Sequence, residues 1–206
     1  MSPRRAAALR GDANLREHLI AAAERLIARR GTAGLTVRDI AREAEVADGV
    51  LYNHFANKEE LLGLGLAARV RAVEAGLGGA VPTAGDGTVA ENLRTLVRRG
   101  FALHRAILPA FVGALTQPKV LSAYASHETD EPPLRALLAD YLRGEQRIGR
   151  VDAAADVDAA VTMISGAWHD LVLRGLLSGE PPASEEPVDS QVDAMVDTVL
   201  RGIGPR

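Results

Sequence analysis

The chain is 206 residues long, 47% hydrophobic and 25% charged, with a formal net charge of −3. That is enough apolar chain for one or two cores, and it excludes a protein that binds polyanions by overall charge, so a nucleic-acid site would have to be a local patch. The lack of cysteine excludes disulfides and cysteine-ligated metal and fits a reducing cytoplasm, and no segment has the apolar length of a signal peptide or a membrane span.

In chain order, Met1 to Gly11 reads as a flexible basic arm carrying Arg4, Arg5 and Arg10. Residues 1–60 hold 10 Lys and Arg against 9 Asp and Glu, so the small basic excess lies in that arm. Leu15, Leu19, Ala22, Ala23, Leu26 and Ile27 form one apolar stripe, which predicts a first helix from Leu15 to Arg30. GTAGL (31–35) is a short link. Val37, Ile40, Ala41 and Ala44 fall at i, i+3, i+4 and i+7 and predict a second helix. Thr36 is its N-cap, and Asp39 stands where a capping box has its acid. Glu45 to Ala47 make a turn, and Val50, Leu51 and Phe55 hold a third short helix with Tyr52, Asn53 and His54 facing outward. Asn57 caps a fourth helix, 58–78, that ends in the Gly/Pro-rich GGAVPTAGDG.

Thr88 caps the next helix, with Val89, Leu93, Leu96, Gly100 and Leu103 at helical spacing and a break or kink expected at Pro109. Gln117-Pro118 marks a boundary and SHETDEPP a turn. Leu134, Leu138, Tyr141 and Leu142 open a further helix. Asp156 to Leu177 is a long helix on the stripe Val157, Val161, Ile164, Trp168, Leu171. SGEPPASEEP is a loop, and the last helix runs to Ile203 through Val192, Val196 and Val199. No alternating strand pattern of useful length occurs, so the expected fold class is all-α: an N-terminal helix-turn-helix domain at 12–57 joined to a helical domain at 58–206.

Two short helices about a tight turn, TVRDIAREAEVADGVLYNHF, form a device for placing a helix in the DNA major groove. Lys58 supports that reading. A cation in the first turn of a helix opposes the dipole at a cost of a few tenths of a kcal/mol, and a DNA phosphate there would turn the defect into a contact. Arg38 is placed to fork onto guanine O6 and N7, Val50 to touch a thymine methyl, and Asn53 to bond adenine or phosphate. Asp48 beside phosphates costs affinity unless it accepts from a cytosine amino group or serves only its own helix dipole.

VADGVLYNHFANKEELL, with Leu51, Tyr52, His54, Phe55, Lys58, Glu59, Leu61 and Leu62 in register, resembles the recognition region of the TetR family of bacterial transcriptional regulators. The resemblance spans roughly residues 12–66 and rests beyond them on length and helical organisation alone. It implies phosphate contacts at Tyr52, His54, Lys58 and the start of the second helix at Thr36. It leaves Asp48, Gly49, Val50 and Asn53, with Arg38, as candidates for reading sequence. Asp48 departs from the small polar or basic residue usual there. The resemblance also implies a homodimer that binds a double-stranded, pseudo-palindromic operator and is released by a small-molecule inducer.

Five of the seven aromatic Phe, Tyr and Trp residues lie between Thr88 and Leu177: Phe101, Phe111, Tyr124, Tyr141 and Trp168. With His104 they are the expected lining of an apolar ligand pocket between helices. His104, His127 and His169 match no metal-ligand or catalytic spacing, so no catalytic residues, metal or cofactor are expected. The helix at 156–177 is apolar on several sides, through Ala159, Ala160, Ser165, Gly166 and Ala167, as a helix buried between chains would be. The expected interface is therefore the last two helices of each chain. The competing reading is a small-molecule-binding or enzymatic bundle with a degenerate DNA module. DNA binding that falls with salt separates the two.

Overall fold

The structure, a computed structural model, describes residues 11–127, 133–178 and 185–204. The arm at 1–10, most of SHETDEPP and most of SGEPPASEEP lie outside the described residues. Within them the chain is helical, with no strand. It divides into two compact units. One holds the described residues up to Gly76 together with 107–127, and the other holds 77–106 and the described residues from 133 onward.

The first unit contains α1 (Asp12–Arg30), α2 (Val37–Glu43), a 3-10 helix (Asp48–Asn53), α3 (Lys58–Gly76), the last residues of α4 (Val89–Ala114), and α5 (Pro118–Ala125). Its core is built from the predicted stripes: Leu19, Leu26 and Ile27 of α1 meet Ile40 and Ala41 of α2, Leu51, Phe55, and Leu61, Leu62 and Leu66 of α3. Ala110, Ala114 and Val120 complete it. The unit is thus larger than residues 12–57, because α3 turns its leucines onto α1 and the segment after Ile107 closes the other side. A glycine sets one of these approaches. A Cβ on Gly63 would lie 2.6 Å from the Ala123 Cβ and 2.7 Å from the Tyr124 amide nitrogen, so only glycine lets α5 sit on α3. Its cost inside a helix, about 1 kcal/mol relative to alanine, is offset by that contact. The link after α1 is pinned by fully buried Thr32, whose hydroxyl donates to the Ala110 carbonyl at 2.9 Å.

The break expected at Pro109 does not occur: α4 runs unbroken to Ala114. Proline removes one helical hydrogen bond, but Pro109 is exposed while Ala110 and Ala114 just beyond it are buried in the core, so apolar burial holds the last turn. Pro118 does mark a boundary, at the first turn of α5, where its missing N–H costs nothing.

The second unit contains the first part of α4, α6 (Leu134–Arg147), α7 (Val157–Ser178) and α8 (Glu185–Ile203). The Thr88 hydroxyl accepts the Glu91 amide at 3.1 Å, the expected cap of α4. Leu93, Leu96, Val97, Leu138, Leu142, Val161, Ile164, Trp168, Val192 and Val196 are its buried core. Two arginines of α4 fasten α8: Arg94 bonds Asp193 at 2.7 Å and Asp197 at 2.8 Å, and Arg98 bonds Asp189 at 2.7 Å. Glu145 of α6 is fully buried. It accepts the Gly85 amide at 3.2 Å and pairs with Arg150 at 3.1 Å, tying the loop before α4 to α6.

Candidate DNA interface and ligand cluster

The start of α2 is fixed by a reciprocal cap. The Thr36 hydroxyl accepts the Asp39 amide at 3.1 Å, and the Asp39 carboxylate accepts the Thr36 amide at 3.0 Å and the Thr36 hydroxyl at 2.6 Å. The Thr36 hydroxyl holds the Asp39 carboxyl below its ordinary pKa, helped by the Thr36 amide. Thr36 is exposed, but its hydroxyl hydrogen is committed to Asp39, so its amide and hydroxyl serve the cap first. The other end of α2 is closed by His18, whose ring N–H donates to the Ala44 carbonyl at 2.9 Å.

The turn places Glu45 in the left-handed region, with φ 56°. The short helix expected after it is present, as a 3-10 helix rather than an α-helix. Only six residues lie between Ala47 and His54, and i→i+3 bonding tightens short pieces of this kind: the Val50 amide donates to Ala47 and the His54 amide to Leu51. Leu51 and Phe55 are its buried anchors, with the Arg16 guanidinium 5.0 Å above the Phe55 ring. The anchors turn Asp48, Gly49, Tyr52 and Asn53 to solvent, while Val50 and His54 are half-buried. Tyr52, 65% exposed, is a large aromatic with no core role. Asn57 caps α3, its side-chain oxygen accepting the Glu60 amide at 2.8 Å. Lys58, half-buried, opens that helix beside Glu59 and Glu60.

Arg38 leaves the first turn of α2 with its side chain 82% exposed. Its Nε lies 3.3 Å from an Asp48 carboxylate oxygen. This contact joins the start of α2 to the start of the 3-10 helix, across the turn. Spacing within either helix gives no hint of it.

The six expected pocket residues fall into three groups. Phe111 and Tyr124 belong to the first unit, where their rings meet edge-on with centroids 5.0 Å apart, against its core. Burial pushes the Tyr124 phenol up, and Glu74 adds to this. Tyr141 lies in the second unit with Asn92 and Glu145, and burial pushes its phenol far above its ordinary value. The third group is built on α4 and α7. Trp168, 1% exposed, lies on Gly100, where a Cβ would come within 2.1 Å of the indole. His104 stands 5.2 Å from the Trp168 ring and 4.7 Å from the His169 ring, and Phe101 is buried beside Gly100. His104 Nδ1–H donates to the Gly100 carbonyl at 2.8 Å. Burial holds this imidazole below its ordinary pKa, with His169 adding a smaller effect in the same direction. The sequence reading did not single out Ser165 for the pocket. Its hydroxyl, one turn before Trp168, and the Trp168 Nε1–H are both buried without a hydrogen-bond partner among the described residues. Nothing local distinguishes such a serine from a core residue, so only the fold reveals it. Among the described residues no three metal-ligating side chains converge, and no described helix is long and apolar enough to cross a membrane.

Residues 19–63 match the description of bacterial regulatory proteins of the tetR family. An uncharacterised HTH-type transcriptional regulator of Haemophilus influenzae is 45% identical over 49 residues, 24% of this chain and 26% of that protein. The HTH-type transcriptional regulator BetI of Paraburkholderia phytofirmans is 29% identical over 181 residues, 81% of this chain and 84% of its own length. A TetR-family regulator from Mesorhizobium loti superposes with a TM-score of 0.68 at 20% identity, over 94% of this chain and 98% of that one. FadR of Bacillus subtilis in complex with stearoyl-CoA superposes at 0.62 and 20% identity, over 91% and 98%. The helix-turn-helix is thus built on residues that match the tetR family of bacterial regulatory proteins, and the chain has the fold of TetR-family regulators.

Proposed function

We propose that this protein is a ligand-responsive repressor that binds a pseudo-palindromic operator as a homodimer and leaves it when a small, largely apolar molecule binds. One observation carries the DNA reading. Arg38, Tyr52 and Asn53 stand exposed on a turn whose neighbours Ile40, Leu51 and Phe55 are fixed in a core. Groups held rigidly outward on a short 3-10 helix are placed to meet a groove, with Lys58, His54 and Tyr52 on phosphates and Arg38, Asp48, Gly49, Val50 and Asn53 toward base edges. Thr36 contributes by fixing the start of α2. Footprinting on the DNA flanking the gene is the direct test. A folded protein that protects no site there and binds no duplex at low salt removes this reading and leaves the ligand-binding bundle.

Two further observations support the rest. Ala159, Met163, Gly166, Asp170, Leu173 and Leu177 repeat along α7 at alternating spacings of four and three, and all are exposed, Met163 at 62% and Leu177 at 79%. That spacing supports a seam between two helices that meet lengthwise, with a second copy of the chain as its occupant. TetR-family regulators are dimers, and two-fold symmetry suits a two-fold operator. The cluster of Phe101, His104, Ser165 and Trp168 supports a ligand site there. There the unpartnered indole N–H and serine hydroxyl would gain an acceptor from the ligand's polar end. α4 supplies Phe101 and His104 to this cluster, and its continuation supplies the Ala110 carbonyl that holds Thr32 in the DNA-binding unit. A ligand that favours a DNA-incompetent state and DNA weaken each other by one factor, roughly 5–150-fold for an ordinary coupling.

A further inference from the structure

We infer that Asp48 is a specificity-determining residue that acts through Arg38. Off DNA it occupies Arg38 in place of a phosphate, and it releases Arg38 only where base edges satisfy both side chains. The inference rests on the DNA-binding reading above and adds to it a role for an acid on the DNA face.

The geometry is direct. The Arg38 Nε and the Asp48 carboxylate are 3.3 Å apart, and the pair bridges the two elements that would face the groove. Both side chains remain largely open, at 82% and 53%, so DNA can reach them without unfolding anything. The other strongly exposed arginine of this surface, Arg42, lies 4.0 Å from Asp39, whose carboxylate is already taken by the Thr36 cap. Arg38 is therefore the cation on this face with an acid of its own. The local charge makes the pairing matter. Residues 1–60 carry 10 cationic and 9 anionic side chains, so each phosphate-binding cation is a large share of the sequence-independent attraction.

On arbitrary DNA a phosphate must compete with Asp48 for the guanidinium, and Asp48 itself is brought near a polyanion. Both effects lower affinity without regard to sequence. Over a C·G pair the balance changes. Guanine O6 and N7 accept both arms of the Arg38 fork, and the cytosine amino group donates to the Asp48 carboxylate, so nothing charged is left unpaired. The pair thus subtracts from binding everywhere except where the right bases stand, and specificity gains from such a penalty on wrong partners. An exposed ion pair of this kind changes an equilibrium by up to about fivefold. Repulsion of the acid from phosphates adds to that, giving roughly threefold to tenfold for its removal.

The test measures wild type, Asp48→Asn, Arg38→Gln and the double variant by fluorescence anisotropy. Each is titrated with a random-sequence duplex and with a duplex selected by the wild type from a randomised pool, at several salt concentrations. Circular dichroism and melting confirm that every variant is folded. Asp48→Asn is expected to bind the random duplex roughly threefold to tenfold tighter, with a salt slope steeper by about one. Its affinity for the selected duplex should stay level or fall, so the specificity ratio contracts. In the Arg38→Gln background the gain from Asp48→Asn should vanish, because the two residues act as a pair. Three results overturn the inference: unchanged random-duplex affinity in Asp48→Asn, a gain that persists without Arg38, or equal gains on both duplexes. If wild type and variants alike bind no duplex at low salt, the DNA-binding reading falls, and this inference falls with it.

Discussion

The DNA-facing turn and the cluster around Trp168 handle their polar groups in opposite ways. At the turn, polar groups are exposed or satisfied locally: Thr36 and Asp39 cap each other, Asn57 caps α3, and Arg38 has Asp48. Around Trp168 two of them, the indole N–H and the Ser165 hydroxyl, are buried with no hydrogen-bond partner among the described residues. An unsatisfied buried donor costs about 1–3 kcal/mol. A surface meant for DNA gains by being rigid and complete before its partner arrives. If the cluster takes a ligand, as proposed, these are the groups that an occupant would satisfy.

The largest expected effect breaks the second of these. Gly100→Val puts a branched side chain where even a Cβ would meet the indole at 2.1 Å. The rigid helix backbone cannot yield, so Trp168 must leave its site. Overpacking of this degree costs about 1–3 kcal/mol, and exposing the indole adds to it. Thermal unfolding should fall by several degrees. The emission of Trp168, the one tryptophan of the chain, should shift to the red. An unshifted spectrum would mean that the contact on Gly100 does not hold the ring.

The next effect acts on the turn. Arg38→Ala should cost roughly 1–3 kcal/mol on the selected operator and much less on random DNA, if its fork reads guanine. Lys58→Ala should weaken both about equally and lower the salt slope by about one. Equal losses on both duplexes for Arg38→Ala would move it to the phosphate class and leave base reading to Asn53 and Val50.

The two regions also differ in how well they could be read from sequence. The caps at Thr36, Asn57 and Thr88, the apolar stripes, and the buried pair Leu51 and Phe55 are signals within a few residues, and each has its expected partner. The features that depend on what lies across the fold were not legible. No local pattern says that an acid at 48 meets an arginine at 38, or that Glu145 is buried on Arg150 and the Gly85 amide. Nor does one say that α4 outlasts Pro109 because Ala110 and Ala114 are buried. The seven aromatics were too few to be divided by periodicity. Only the fold places Phe111 and Tyr124 together in one unit and His104 with Trp168 in the other.

A smaller effect separates the regions by pH. Burial holds His104 below its ordinary pKa of 6.5 in the folded state. As pH falls past that value the unfolded chain takes up a proton that the folded chain resists, so stability drops as the pH falls from about 7 toward 5. His104→Gln should flatten that part of the profile. Asp39 and Glu43 at the turn have lowered values, the first through the Thr36 hydroxyl and the second through Arg29 and Arg25. Their contribution is complete above the ordinary carboxylate range and is lost as pH falls through that range toward their lower folded values. Melting temperatures of wild type and His104→Gln from pH 7 to pH 3 would show two separate slopes. A wild-type curve flat between pH 7 and pH 5 would contradict the burial of His104.

The smallest effect lies in the turn itself. Glu45 adopts φ 56°, a left-handed conformation that crowds its Cβ against the backbone. Asparagine or glycine is the usual occupant of such a position. Here the glutamate is held because the Val46 amide must reach the Ala41 carbonyl, which it does at 3.0 Å, before the chain can turn toward the 3-10 helix. Glu45→Gly relieves roughly 1 kcal/mol of strain, though glycine gives back part of it by loosening the unfolded chain. The net is a gain of a few tenths of a kcal/mol to about 1 kcal/mol, or about 1–4 °C in melting temperature for a chain of this size. Glu45→Val should do the reverse, since a branched side chain tolerates this region worst. The pair of variants sharpens the contrast drawn at the outset. If the turn is rigid before DNA arrives, Glu45→Gly stabilises the fold and leaves operator affinity where it was. A tighter operator complex in step with the higher melting temperature would show instead that the turn is still being ordered when DNA binds.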